Sequence, residues 1–444
     1  MTRFPIRGFN MCESLLRHTP DELRRFLRRM KSLNFNTVII HYDYGWKHYR
    51  DIICEECRKS GVDITLMTFG PRTFFSLAGC SREHFAKDEN GKSFTLKPEC
   101  ETHPCFSDPQ ALELFCRGAE IWLKQLPSEI RRVHMRAGDG YLFCRCPECR
   151  NKTVQDLWQP FVAGFIKAAK KYRPDLQLET DVYYGRYELP QNCSAHEQLD
   201  LIMFDPFLRS PLYPLGSSKN APEIHAVLLE HLKQWCKRFP GKIYIHENTM
   251  KQGFFGIFQH GTDAALEDLK TFREIGVQGV CFEAYEPGYS AFEEMFETIA
   301  PAMNGTVVPL IHDPVADWCR QNNELKWCSS IEQHPERFLP PGDELEYEKL
   351  ISRIHSCPID SKLYREYLDF AMARQDKLDW LYGCFTIAKR GRLAGTLKWE
   401  GLSPLAQDFS TRTKLWDFLE DLPHHKDALE VGRQIAGELY RCAR

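Results

Sequence analysis

The chain has 444 residues, a length that predicts a barrel of roughly 250 to 300 residues plus a second unit. It contains 58 Lys and Arg residues and 61 Asp and Glu residues, and the resulting net charge of −3 gives no reason to expect nucleic-acid binding. The basic clusters, such as Arg24-Arg25 and Lys167 to Arg173, recur at helical spacing among apolar residues. This pattern indicates solvated helix faces.

The start of the sequence, Met1 to Pro5, does not resemble a signal peptide and leads into a strand-like run. No apolar run reaches the ~18 to 20 residues that cross a bilayer. We therefore expect a cytoplasmic protein without a membrane partner. Its 18 cysteines are expected to be reduced, either buried as small hydrophobes or bound to metal. Disulfides become an option if the native chain has lost a leader.

Short apolar runs alternate with amphipathic stretches along the first 300 residues. Thr19-Pro20-Asp21-Glu22 predicts the start of the first helix, because it places a cap, a first-turn proline and acids in order. The predicted strands are 5–11, 37–43, 62–69, 132–137, 176–184, 199–205, 242–247 and 277–285, and the next helices are 47–59, 109–125, 153–171, 222–238 and 262–274. A long loop is predicted at about 71–107.

Eight strands with intervening helices predict an α/β fold, a (β/α)8 TIM barrel over residues 1–304. An open doubly wound sheet is the alternative, disfavoured because no G-x-G-x-x-G follows a strand. After about residue 305 the alternation stops. Segments 342–356, 360–390, 405–420 and 424–442 have helical spacing, which predicts a C-terminal α-helical domain over 305–444.

Active sites of such barrels form at the carboxyl ends of the strands. The polar residues there are rich in acids and aromatics, a composition that suits the hydroxyls and ring faces of a sugar. They comprise Asn10, His41, Asp43, Trp46, Arg72, Asp139, Asp181, Tyr183, Tyr184, Asp205, His246, Glu247, Glu283, Tyr285 and Glu286. Since Tyr183 and Tyr184 point opposite ways on a strand, at most one faces the mouth.

Glycosidases use two carboxyl groups, and strands four and seven supply them in many retaining barrel enzymes. These positions predict Asp139 and Glu247 as the catalytic pair, and Glu283 as a replacement for either. Retention or inversion, set by a separation of roughly 5 to 5.5 Å or 6.5 to 9.5 Å, stays open. Structural alternatives stay open too: a plain turn at Asp139, an ion-paired Glu247, a strand-ending Asp205 and a core His246.

Residues 144–149 form a C-x-C-x-x-C cluster directly after the Asp139 turn. Three thiols leave a tetrahedral zinc one ligand short, and Cys105 is the best fourth candidate, followed by Cys100. We predict a structural zinc held by Cys105, Cys144, Cys146 and Cys149; free thiols or a disulfide pair are the alternatives. A catalytic zinc is disfavoured because four sulfurs would close its coordination sphere.

These residues carry a family resemblance. Cys105 with Asp108-Pro109, Asp139-Gly140, the cysteine cluster, and Arg173-Pro174 before a strand ending in tyrosines resemble domain-of-unknown-function family 4838. Part of that family is classed as glycoside hydrolase family 163, which resembles hexosaminidase and α-glucuronidase barrels. The similarity covers about residues 5–300 and is densest at 96–187. The family's usual β-rich N-terminal domain and secretion leader are not seen.

The resemblance implies a TIM barrel acting on glycans, with N-acetylglucosamine-containing chains as one substrate class. It implies a site role for Asp139 and a cluster of the four cysteines, and leaves Glu247 open. The leading hypothesis is a glycoside hydrolase without a catalytic cofactor, acting on a small or partly degraded glycan, with an acetamido-assisted mechanism as a variant. A non-catalytic carbohydrate-binding barrel is the alternative. A metal-dependent enzyme using His41, His134 or His246 lacks any H-E-x-x-H spacing.

Overall fold

The computed structural model describes residues 2–11, 20–42, 46–92, 103–138, 143–183, 186–217, 223–248, 261–283 and 293–310, with residues 403, 404 and 407. Apart from 305–310 and those last three residues, the predicted C-terminal helical domain lies outside the described residues. So do Asp43, Asp139, Tyr184, Tyr285 and Glu286. Each of the eight connections that follow a strand contains undescribed positions.

Eight parallel strands close into a barrel in sequence order, each hydrogen-bonded to its neighbours, with β8 returning to β1. The strands are β1 Ile6–Met11, β2 Thr37–His41, β3 Asp63–Phe69, β4 Arg132–Arg136, β5 Gln177–Val182, β6 Leu201–Phe204, β7 Ile243–Glu247 and β8 Gly279–Glu283. The predicted (β/α)8 barrel is therefore confirmed, and all eight predicted strands are present.

The helices in the described part of the chain surround the barrel. They are α1 Pro20–Ser32, α2 Lys47–Ser60, α3 Gly70–Ala78, α4 Pro109–Gln125, α5 Val154–Tyr172, α6 Ser194–Glu197, α7 Glu223–Arg238, α8 Thr262–Glu274 and α9 Glu293–Met303. Asp108 caps α4 by accepting from the Gln110 N–H, and Thr153 caps α5 by accepting from the Asp156 N–H. Among the described residues, no helix has both the length and the apolar character to span a membrane.

Helix α3 corrects the predicted loop at 71–107. Its proline lies in the first turn, where the missing N–H costs nothing, and Phe74 and Phe75 are buried. Phe74 packs edge-on against Phe115 of α4, with ring centroids 5.0 Å apart. The two helices approach closely at Gly118, where a Cβ would lie 1.9 Å from the Phe74 carbonyl oxygen. Aromatic burial therefore makes this stretch a helix.

Two apolar regions follow from the alternation of side chains along each strand. A small layer inside the barrel contains Ile6, Ile39, Met67, Met203, Tyr244 and Cys281. The larger core lies between the strands and the helices, and includes outward residues such as Val133, Met135 and Ile245. These two regions leave the carboxyl end of the interior for polar side chains.

Candidate active site at the barrel mouth

Polar side chains line the interior at the carboxyl end of the barrel. In β7, Tyr244 belongs to the inner apolar layer and Ile245 to the outer core. Alternation then turns His246 inward and its neighbour Glu247 outward. The interior polar residues at or just beyond the strand ends are Asn10, His41, Arg136, Asp181, Tyr183, Asp205, His246 and Glu283, all of them buried.

His246 lies at the centre of this set, between two carboxylates. Its Nδ1 is 2.9 Å from Asp205 Oδ2, and its Nε2 is 2.5 Å from Glu283 Oε2. Asn248 donates to the other oxygen of Asp205 over 2.6 Å. Strands β6, β7 and β8 thus bring an acid, an imidazole and a second acid into one hydrogen-bonded chain.

Burial and charge oppose each other at His246. Burial lowers its pKa, but the carboxylates of Asp205 and Glu283 outweigh burial and raise the pKa to about 9. For Glu283, burial is the larger effect and raises the pKa, while His246 acts to lower it. His246 is therefore positively charged at neutral pH.

Asn10 links His246 to a second histidine. Its Nδ2 lies 3.0 Å from His246 Nε2, and its Oδ1 lies 3.0 Å from His41 Nε2. Burial lowers the pKa of His41 well below its usual range, and nearby Arg136 lowers it further. His41 is thus neutral, so the two histidines do not repel each other as cations.

Arg136, at the end of β4, connects the acids on the other side. Its Nε is 3.0 Å from Asp181 Oδ2 and its Nη2 is 3.3 Å from Asp205 Oδ2. The guanidinium lies over the ring of Tyr183, 4.0 Å from the centroid. Although burial acts to raise the pKa of Asp181, Arg186 and Arg136 lower it overall. Asp181 is therefore ionised.

Sequence reasoning missed Arg136, Arg186 and Asn248. Arg132, His134 and Arg136 alternate along β4, so one face of this strand is polar at a period of two. That alternation was the available indication that Arg136 faces the barrel interior.

Glu247 lies apart from the interior set. Its Oε2 accepts from Arg209 over 2.9 Å, and the same guanidinium lies 2.6 Å from Asp268 Oδ2 of α8. Burial raises the pKa of Glu247 to about 7, against the lowering effect of Arg209. Asp268 also accepts from the Leu215 N–H over 2.6 Å. These contacts tie β7 to α8 and to the segment after β6.

Two further predicted site residues lie elsewhere in the fold. Trp46, just before α2, is buried in the core between strands and helices. Arg72 lies in the first turn of α3 and is partly buried. The structure therefore brings together Asn10, His41, Asp181, Tyr183, Asp205, His246 and Glu283 of the predicted residues that it describes.

The four predicted cysteines meet in one buried cluster. The Sγ atoms of Cys105, Cys144, Cys146 and Cys149 all lie within 4.8 Å of one another. The Cys105–Cys144 and Cys105–Cys146 separations are 3.5 and 3.9 Å. Sulfurs around a tetrahedral zinc with bonds of about 2.3 Å lie about 3.8 Å apart. The thiols are free, so the disulfide alternative is not realised, and the cluster has the dimensions of a metal site.

Backbone hydrogen bonds bring the cysteines together. Cys105 donates its N–H to the His84 carbonyl over 2.9 Å, and Arg145 donates to the Lys87 carbonyl over 2.7 Å. The Lys87 N–H points at Cys144 Sγ, 3.4 Å away. Hydrogen bonds from Cys144 and Cys149 lower the pKa of Cys105. The cluster therefore favours one thiolate even before a metal contributes its own charge.

The cysteine cluster borders the turn after β4. The ring of His103 packs on Phe143, with centroids 4.5 Å apart. A Cβ on Gly138, whose φ is +119°, would lie 3.4 Å from the same histidine ring. The Gly138 carbonyl accepts from Arg186 over 3.3 Å. Gly138 thus links the cluster to the cations beside Asp181.

No protein-family model and no curated protein matches this chain. Among solved structures it is similar to a β-N-acetylhexosaminidase at 12% identity, with 78% of this chain and 80% of that one covered and a TM-score of 0.44. The endo-β-1,4-mannanase from Thermotoga petrophila matches at 10% identity over 69% and 78%, with a TM-score of 0.41. The glycoside hydrolase domain of PgaB from Bordetella bronchiseptica matches at 11% over 69% and 100%, with a TM-score of 0.45. Sequence identities and TM-scores this low do not indicate an activity for this chain.

Proposed function

We propose that this protein is a glycoside hydrolase whose carboxylate pair lies at the mouth of the barrel. The observation that carries the proposal is the convergence of Asp181, Asp205 and Glu283 at one end of the barrel interior, beside Tyr183 and a charged His246. Carboxylates bind hydroxyls and an aromatic face stacks on a sugar ring, while two carboxyl groups perform the hydrolysis. Glycans containing N-acetylhexosamine or uronic acid are the substrate class that we propose.

Glu283 and Asp139 are the carboxyl groups we assign to the reaction. Glu283 supports this role because it ends β8 on the interior side and is held by His246 at 2.5 Å. Asp139 follows Gly138, whose carbonyl is bound by Arg186 next to Asp181. Glu247, the other predicted candidate, has an ion-paired environment that supports a structural role.

A panel of aryl glycosides, including N-acetylhexosaminides and glucuronides, tests the proposal. Wild type is expected to release the aglycone from at least one member. Glu283→Gln and Asp139→Asn should each lower kcat/KM by about 10³-fold, because each removes a group that acts in the transition state. Glu247→Gln should stay within about 10-fold of wild type. Exposed Glu274→Gln is the matched control. Sugar binding without any turnover would instead establish a non-catalytic carbohydrate-binding barrel.

We further propose that the four cysteines hold a structural zinc. All four thiols are buried, and their separations suit tetrahedral coordination. The ion would join 84–87, 103–105 and 143–149, segments from both sides of α4. Metal analysis of purified wild type should give about one zinc per chain. Cys146→Ser should lose it, and Cys54→Ser, on α2, should not. Equal zinc in Cys146→Ser and wild type would contradict the assignment.

A further inference from the structure

We infer that Asp205 and His246 are positioning residues that keep Glu283 ionised and oriented, so that Glu283 is the anionic carboxylate of the pair and the proton donor lies elsewhere. The inference deepens the proposed hydrolase function and rests on it for its activity readouts. It also has a readout that does not depend on turnover.

The hydrogen bonds around His246 limit where protons can lie. Both ring nitrogens face carboxylate oxygens, at 2.9 Å for Asp205 and 2.5 Å for Glu283. The Asn10 amide also lies 3.0 Å from Nε2, and with its oxygen and nitrogen exchanged it accepts from Nε2–H and donates to the neutral His41. A neutral imidazole has a single N–H, so it would turn a lone pair toward one of the two acids. That acid would then have to be protonated. An imidazolium donates on both sides and leaves both acids ionised.

Asp205 favours the imidazolium arrangement. Its Oδ1 accepts from Asn248 over 2.6 Å, and Arg136 lies 3.3 Å from its Oδ2. Both neighbours are donors, and donors stabilise the ionised form of a carboxyl group. A negative charge at Nδ1 stabilises the cationic ring, and the cationic ring in turn favours an anionic Glu283 at Nε2 by opposing the burial that raises the pKa of Glu283.

The other titratable groups near His246 leave this balance intact. His41 lies beyond the Asn10 amide and is neutral, because burial lowers its pKa. Glu247 lies on the opposite face of β7, paired with Arg209. Toward the middle of the barrel, His134 Nδ1 lies 3.4 Å from Glu179. Arg136 is shared between Asp181 and Asp205, and Arg186 lies 3.5 Å from Asp181.

The Oε1 atom of Glu283 is the oxygen that we expect to act on the substrate. Within the described part of the chain, Glu283 Oε1 is buried and has no hydrogen-bond partner. His246 fixes Oε2, which leaves Oε1 for the substrate. In hydrolysis this oxygen either bonds to the anomeric carbon or takes a proton from the attacking water. The leaving oxygen keeps the electrons of the broken bond and receives a proton from the second acid, assigned to Asp139.

The pH dependence of kcat/KM tests the inference. Wild type should lose activity as the pH rises through about 9, where His246 loses its proton. Asp205→Asn should move this alkaline limb down by at least one pH unit, because the charge that holds the proton is gone. His246→Gln should lower kcat/KM about 100-fold or more and abolish the limb. Glu274→Gln should keep the wild-type profile. An unmoved limb in Asp205→Asn, or a limb near 9 that survives in His246→Gln, would overturn the assignment.

Histidine-selective ¹⁵N NMR provides the readout that is independent of turnover. At pH 7.5 one ring, identified by its loss in His246→Gln, should carry protons on both nitrogens and titrate near pH 9. In Asp205→Asn its titration should shift to lower pH. A neutral His246 ring at pH 7.5 would overturn the inference. If no glycoside is hydrolysed while the ring behaves as expected, the proposed function fails and the charge arrangement stands.

Discussion

Replacing Glu247 by glutamine separates a structural carboxyl group from a catalytic one. Burial raises the pKa of Glu247 to about 7, from an ordinary value of 4.5. The folded state therefore resists losing this proton, whereas the unfolded chain loses it near 4.5. The stability that the bound proton contributes declines as the pH rises from about 4.5 to about 7. Glutamine keeps an oxygen for Arg209 and has no proton to lose.

The size of the effect follows from the shift. The rise in the pKa of Glu247 from 4.5 to about 7 corresponds to about 3 kcal/mol when titration is complete. Most of this difference, about 2 to 3 kcal/mol, should appear between pH 5 and pH 8. The free energy of unfolding of Glu247→Gln minus that of wild type should therefore rise by about 2 to 3 kcal/mol from pH 5 to pH 8. The contributions of the other titrating groups to the free energy of unfolding are the same in both proteins and cancel in this difference.

Urea unfolding of both proteins at the two pH values measures this difference. Exposed Glu274→Gln, on the same helix as Asp268, is the control and should show a difference that does not change with pH. A constant difference for Glu247→Gln would refute the reasoning about burial. A loss of more than 100-fold in kcat/KM at unchanged stability would refute the structural role and restore Glu247 to the catalytic pair.

Three other perturbations have defined outcomes. Gly118→Ala should lower the free energy of unfolding by about 2 kcal/mol, because its Cβ would lie 1.9 Å from the Phe74 carbonyl oxygen. Thermal melts measure this loss. An unchanged melting temperature would show that α3 and α4 can move apart at little cost in free energy. Chelation of zinc should lower the melting temperature of wild type and leave that of Cys146→Ser unchanged; equal shifts would place the metal elsewhere. Tyr183→Ala should raise KM about 10-fold, whereas Tyr183→Phe should raise it only slightly, since the phenyl ring keeps the stack on Arg136. Equal KM values in the two variants would show that the aromatic ring makes no contribution to the site.

The fold could be predicted from the sequence because each strand is a short apolar run and the runs alternate with capped helices. Helix α3 was missed because Gly70 and Pro71 suggest a loop when they are seen without their surroundings. Its formation depends on the burial of Phe74 and Phe75 against α4, which is a tertiary effect. The sequence around residues 70–78 does not show that α4 will pack against it.

The sequence predicted which strand ends form the site better than it predicted which side chains at those ends face the barrel interior. His246 and Glu247 are adjacent polar residues at one strand end, and only the position of the inner apolar layer decides which one faces inward. Cys105 could be chosen as the fourth thiol because it lies at the end of the long loop predicted after the third strand, and the four thiols do lie together. The ion pairs of Arg136 depend on strand register, which the sequence does not contain.

The most direct test of the central claim compares wild type and Glu283→Gln on one aryl glycoside that wild type cleaves. If Glu283 is the anionic carboxylate of a hydrolase, the variant should fold and bind the sugar as wild type does, and its kcat should fall about 10³-fold. A variant that keeps at least a tenth of the wild-type kcat would contradict the claim, because the uncharged glutamine amide is a far weaker nucleophile and base than a carboxylate.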